Sequence, residues 1–112
     1  MISHAQRTAA IRSLNDRLRT TLEGGHLVMS AGVHDKAPGF AEQALAAIRR
    51  FNRFNPGNDL RGEHDFGTLT LMGERLIWKI DYYNLTLDGG SPDPADPELT
   101  HRVLTVLLSH EW

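Results

Sequence analysis

The segment Asn58-Asp59-Leu60-Arg61-Gly62-Glu63-His64-Asp65 holds the densest group of chemically capable side chains, and Lys79, Asp81, Tyr82 and Tyr83 follow close behind. Carboxylates flanking an imidazole are the parts of a general acid–base pair or of a site for a hard cation. Spacing then sorts them. If a strand extends back to residue 63, His64 projects to the face of Lys79 and Asp81, while Glu63 and Asp65 project to the side of Tyr82. Side chains that alternate across a sheet do not all meet at one ion, and no His-Glu-x-x-His spacing occurs. No metal ligand is therefore assigned and no cofactor is expected. The competing reading is structural: Asn58, Glu63 and Asp65 hydrogen-bond backbone groups of their loop, and His64 ties down a tyrosine or Asp81. Lys79 and Asp81, two residues apart on one strand face, then form a plain ion pair.

Arg49, Arg50 and Arg53 make a second cluster, in the last turns of a predicted helix. Cations there oppose the negative end of the helix dipole, and the sharper alternative is a patch for an anion or an acidic partner. Without interleaved aromatic residues or a binding motif, direct contact with nucleic acid has only weak support. The charge is uneven along the chain: residues 1–53 carry eight basic and four acidic side chains, residues 54–112 four basic and ten acidic. Opposite signs on the two halves point to separate faces unless folding interleaves them. Asp88, Asp93 and Asp96 lack the closing glutamate of a calcium loop. The absence of cysteine excludes thiol nucleophiles, Cys-based zinc sites and iron–sulfur clusters. No Gly-x-Ser-x-Gly elbow and no lysine-bearing phosphate loop is present.

The elements that position these groups follow from periodicity. A chain of 112 residues and 12.5 kDa with 40% apolar residues suits one domain with its own core. No run approaches the roughly 20 apolar residues of a membrane span, and the start lacks a signal peptide's apolar centre, so a cytoplasmic protein without membrane contact is expected. Ile11, Leu14, Leu18 and Leu22 predict a helix over 5–22, with Ser3 and Gln6 at capping-box spacing and Gly24-Gly25 closing it. Alternation over 26–33 predicts a strand with a partly covered second face, and Phe40, Ala44, Ile48 and Phe51 a helix over 38–53. Residues 54–65 read as a loop. Strands at 66–72 and 75–83 join through Gly73-Glu74, whose glycine-first order fits a type II′ turn. That register pairs Leu71 with Leu76, Leu69 with Trp78 and Gly67 with Ile80 on the core face. The loop 84–98 ends in Asp96-Pro97-Glu98, a helix-opening signature, and Leu99, Val103, Val106 and Leu107 predict a final helix. The order αβαββα implies a single-domain α+β sandwich, with helices on one face of a largely antiparallel sheet.

Three segments carry a resemblance: Asn58 through Gly67, then Trp78-Lys79-Ile80-Asp81-Tyr82-Tyr83, then Ser91-Pro92-Asp93-Pro94-Ala95-Asp96-Pro97. Together they resemble a bacterial domain-of-unknown-function family, encoded mainly by proteobacteria, often on plasmids or near phage-like and conjugative elements. The likeness runs from about Leu14-Asn15-Asp16 to Arg102-Val103-Leu104-Thr105. Leu60 stands where that family usually has proline, and Glu111-Trp112 where it usually has a tyrosine-like end. The resemblance implies a mobile-element setting and supplies no reaction. With no complete catalytic constellation, the expectation is a non-enzymatic binding protein acting on a host protein or nucleic-acid-processing complex, as a defence inhibitor would. The alternative is a small metal-dependent or acid–base hydrolase using Glu63, His64 and Asp65.

Overall fold

The computed structural model describes residues 2–112. Ser3 accepts from the Gln6 backbone and Gln6 answers through its side chain, the capping box that opens helix α1 (His4–Thr21). The left-handed residue that ends α1 is Leu22 (φ 64°), where the glycines were expected. Gly25 is needed for a different reason: a Cβ there would stand 2.5 Å from the Arg102 carbonyl. Strand β1 (His26–Met29) is shorter than predicted, because the Ser30 hydroxyl caps the one-turn helix α2 (Ala31–His34). Val28 is 47% exposed, so the second face of β1 is open where partial cover was expected. Helix α3 (Phe40–Arg49) buries Phe40, Ala44 and Ile48, and Phe51 follows into the same core.

Strands β2 (Phe66–Leu71) and β3 (Glu74–Tyr83) form the expected hairpin with a different turn. Met72 (φ 52°) and Gly73 (φ 80°) both take positive φ, the requirement of a type I′ turn, so Leu71 pairs with Glu74 and the register shifts by two residues. A two-residue shift preserves every face. It also seats Gly67 opposite Trp78, whose Nε1 would lie 2.4 Å from a Cβ at position 67. Glycine is thus the residue that lets the indole cross the strand.

The predicted final helix is a strand. Asp96 does accept from the Glu98 backbone and Pro97 does occupy the first turn, but only a single 3-10 turn (Pro97–Leu99) forms before β4 (His101–Leu108). Arg102, Leu104, Val106 and Leu108 alternate into the core, and Leu107 is buried on the other face. Leu104, Val106, Leu107 and Leu108 crowd both faces of the strand's second half, and an apolar run of that kind is not separated from a helix by periodicity alone. The sheet order is β1-β4-β3-β2, with β1 parallel to β4 and the rest antiparallel. The helices cover one face, where Leu18, Val33, Phe40, Ala44 and Ile48 meet Leu69, Leu76, Trp78, Ile80, Leu104 and Val106. The α+β class and the largely antiparallel sheet therefore stand, with the element order αβααβββ. Among the described residues no helix is long and apolar enough to cross a membrane.

Candidate functional site

The loop before β2 is held from beneath by α1. Asn15 is fully buried; its amide donates to the Glu63 carbonyl (3.0 Å) and the Tyr82 hydroxyl (2.7 Å), and its oxygen accepts from Arg102 Nε (2.7 Å). The Tyr82 hydroxyl donates in turn to the Glu63 carboxylate (2.9 Å). Arg102 is 2% exposed, donates to the Pro94 carbonyl and lies 5.0 Å over the Tyr82 ring, with no carboxylate in ion-pair contact among the described residues. Burial pushes its pKa down, opposed by Tyr82 and Glu63. Burial, reinforced by Glu63, pushes the Tyr82 phenol well above its ordinary value, with the Asn15 bond acting against it.

His64 sits on the next layer. Its φ of 53° is left-handed, uncommon for a residue with a side chain, and several contacts hold it there. Its backbone N–H donates to Asp59 Oδ1 (3.1 Å), Nδ1 lies 2.9 Å from Asp16, Nε2 lies 3.5 Å from Asp59, and the ring stacks on Phe54 at 3.7 Å. Asp16 also receives Arg19 (3.1 Å), a buried guanidinium that donates to the Ile48 and Phe51 carbonyls and lies over Phe54 and Trp78. Arg19 thereby ties the end of α3 to α1, and stacked rings carry that tie to His64.

The remaining candidates diverge from these. Asp65 pairs with Arg61 (2.9 Å), and its carbonyl accepts from Ile80. Asp65 and then Glu63 raise the Arg61 pKa. Lys79 and Asp81 form the expected ion pair on the open sheet face, and Tyr83 lies exposed at the end of β3. Asn58 binds the Asn55 N–H and the Arg53 carbonyl within its own turn. Glu63, His64 and Asp65 thus point to three different partners, and among the described residues no three His, Asp or Glu side chains converge to hold a metal ion. Of the arginine cluster, Arg49 Nε donates to the Thr20 carbonyl (2.8 Å), whereas Arg50 and Arg53 are exposed and form no ion pair among the described residues. The two charge halves are partly interleaved, through Arg7–Asp93 and Lys36–Glu74.

Above the loop lies an open depression of about 350 Å³, lined by Leu60, Phe66 and Trp112 together with both ion pairs, Arg61–Asp65 and Lys79–Asp81. Leu60 is 86% and Trp112 69% exposed, and the Trp112 ring meets Phe66 edge-on at 5.7 Å. Glu111 fixes this C-terminal turn by accepting from Ser30 Oγ (2.6 Å) and from the N–H groups of Leu108 and Gly32. Those bonds, the Ser30 bond first, hold its carboxyl below the ordinary glutamate range.

Sequence reasoning missed Asn15, Asp16, Arg19 and Arg102. One signal was available: Asn15 falls on the stripe Ile11, Asn15, Leu18, Leu22, where a polar residue among apolar ones marks a buried hydrogen-bonding hub. Arg102 sits in the alternation of β4 and was hidden by the helical reading of that segment.

Fold and site together define a small α+β protein whose polar loop is wired inward to a helix and whose open surface above that loop sets exposed apolar side chains among charged pairs. A family model described as a protein of unknown function (DUF3768) matches residues 28–111, and the chain belongs to that family. No curated protein and no solved structure matches the chain.

Proposed function

We propose that this is a non-enzymatic binding protein of a bacterial mobile genetic element, acting on a host protein or on a protein–nucleic acid complex. The observation that carries the reading is the division of labour in the 58–65 loop. Its polar side chains are spent on holding the loop, while Leu60 and Trp112 stand exposed beside Phe66. Exposed aliphatic and aromatic anchors within a ring of charged pairs are the anatomy of a protein contact surface. An acid–base enzyme needs an imidazole free to reach substrate, and both His64 ring nitrogens face carboxylates. The mobile-element setting rests on the resemblance of the three signature segments.

The test is in-cell crosslinking in a bacterial host that carries restriction and CRISPR immunity, comparing wild type with Leu60→Asp and Trp112→Ala. One host protein crosslinked by wild type and lost in both variants, with unchanged circular dichroism, is the expected result. Hydrolysis of a model ester or phosphodiester by the purified protein, abolished in His64→Gln, would overturn it.

A further inference from the structure

The hairpin leaves one edge of the sheet uncovered. Leu71 and Glu74 close the two-residue turn as a hydrogen-bonded pair, and the Ile80 N–H donates to the Asp65 carbonyl (2.8 Å). This phase turns the backbone groups of Asp65, Gly67, Leu69 and Leu71 toward β3, and those of Phe66, Thr68 and Thr70 away from it. The outward N–H and C=O groups have no backbone partner among the described residues. An exposed edge is normally blunted by lysine, proline or a bulge. Phe-Gly-Thr-Leu-Thr-Leu has no charge and no proline, and it pairs residue for residue with β3.

Two clefts flank this edge on the helix side. One, of about 280 Å³, lies between Leu69-Thr70 and the segment Arg50 to Arg53; the other, of about 300 Å³, lies between Phe66-Gly67-Thr68 and Arg53, Asn55 and Asn58. Arg53 lines both clefts, with its guanidinium 5.8 Å over the Phe51 ring. Among the described residues Arg50 and Arg53 are thus unpaired cations placed beside an unpaired strand.

We propose that β2 accepts an extended acidic segment of a partner protein as a fifth strand, with Arg50 and Arg53 meeting the carboxylates on its helix-side face. The inference rests on reading the chain as a binding module, and it names the chemistry of what is bound. Strand addition satisfies the outward N–H and C=O groups, which a sugar–phosphate chain cannot do in register. Charge selects the partner. A second copy pairing antiparallel along the same edge would bring its own Arg50 and Arg53 against these, like charge against like.

The probe is a short synthetic peptide alternating glutamate and valine, titrated into isotope-labelled full-length protein and followed by amide shifts and hydrogen exchange. Shifts centred on Phe66, Thr68 and Thr70, with slowed exchange of those three amides, are expected. Charge reversal, Arg50→Glu with Arg53→Glu, weakens the glutamate peptide by at least about tenfold and transfers preference to a lysine–valine peptide. Thr68→Pro removes one outward N–H without touching the ladder to β3, so it weakens both peptides. The charge-reversal pair stays informative should the proline variant unfold. Shifts elsewhere, indifference to charge reversal, self-association along β2, or an oligonucleotide moving these amides while the peptide does not would each overturn the proposal. If the peptide fails while Leu60 and Trp112 still capture a host protein, this inference falls and the binding reading stands. If both fail, both fall.

Discussion

Truncating Asn15 to alanine removes the acceptor of Arg102 Nε and the donor to the Glu63 carbonyl and the Tyr82 hydroxyl at one stroke. The Arg102 bond involves a charged donor, worth about 1.5–3 kcal/mol, and the two neutral bonds about 0.5–1.5 kcal/mol each. Asn15 and Arg102 are both buried, so water does not readily replace what is lost, and among the described residues no carboxylate pairs with Arg102 to compensate. The expected cost is about 3–5 kcal/mol, a large part of a typical domain's stability. Unfolding entropy of about 2.1 cal/mol/K per residue makes each kcal/mol worth about 4 °C in a chain of this length, so Tm falls by about 12–20 °C. Thermal and urea melts measure this, and hydrogen exchange should show the 59–65 segment opening first. Asn15→Asp is the companion: it keeps an acceptor for Arg102 but loses both donors and sets a carboxylate near Glu63. It loses less than Asn15→Ala if the guanidinium contact dominates. An Asn15→Ala protein within about 1 kcal/mol of wild type would refute the reasoning, by showing that the hub is not what holds the loop.

Gly67→Ala places a Cβ 2.4 Å from Trp78 Nε1 in a fully buried indole, and overpacking of this kind costs about 1–3 kcal/mol; a denaturation cycle with Trp78→Phe should recover part of that loss. Because the folded Glu111 carboxyl is held below the ordinary value of 4.5, its clip stabilises above that value and fades as pH falls through the lower, folded one. The Tm gap between wild type and Glu111→Gln should therefore be open at about pH 7 and should narrow progressively as pH falls below 4.5. Tyr82→Phe removes the bonds to Asn15 and Glu63 and costs about 1–3 kcal/mol in urea melts. The raised phenol pKa of Tyr82 means that stability is lost as pH climbs past the ordinary tyrosine value of 10.0, and the alkaline absorbance titration of folded Tyr82→Phe should match that of wild type.

Local chemistry was legible wherever it was short-range. The capping box at Ser3 and Gln6, the Asp96 cap, the Lys79–Asp81 pair and the core face of the hairpin follow from neighbours in sequence, and they hold. The hairpin register differs from the glycine-first expectation because Met72 tolerates the left-handed conformation and allows type I′. His101–Leu108 reads as a helix from sequence because its apolar residues satisfy both a helical stripe and a strand's alternation, and only its place between β1 and β3 decides. The loop stands out in the sequence as a concentration of polar side chains, but their partners are not legible there. Asn15 and Asp16 reach Glu63, Tyr82 and His64 across the helix–sheet interface, a relation that no local pattern encodes.

Anchoring the 59–65 loop on α1 sets the order in which the molecule assembles. The bonds from Asn15 span 48, 67 and 87 residues of chain, so their entropy of closure falls due only after the sheet and α1 have met. The loop is then the last segment to lock during folding and the first to open when the helix lifts. Undocking of α1 and loosening of the surface around Leu60 become one event, and a partner that grips this surface tightens the N-terminal helix against the sheet by the same free energy. The family-matched stretch begins at residue 28, downstream of α1, so a chain cut there keeps every strand except the first two residues of β1 while losing Asn15, Asp16 and Arg19. Such a fragment would also bare the core surface that Ile11 and Leu18 cover, and its 59–65 loop would come untethered.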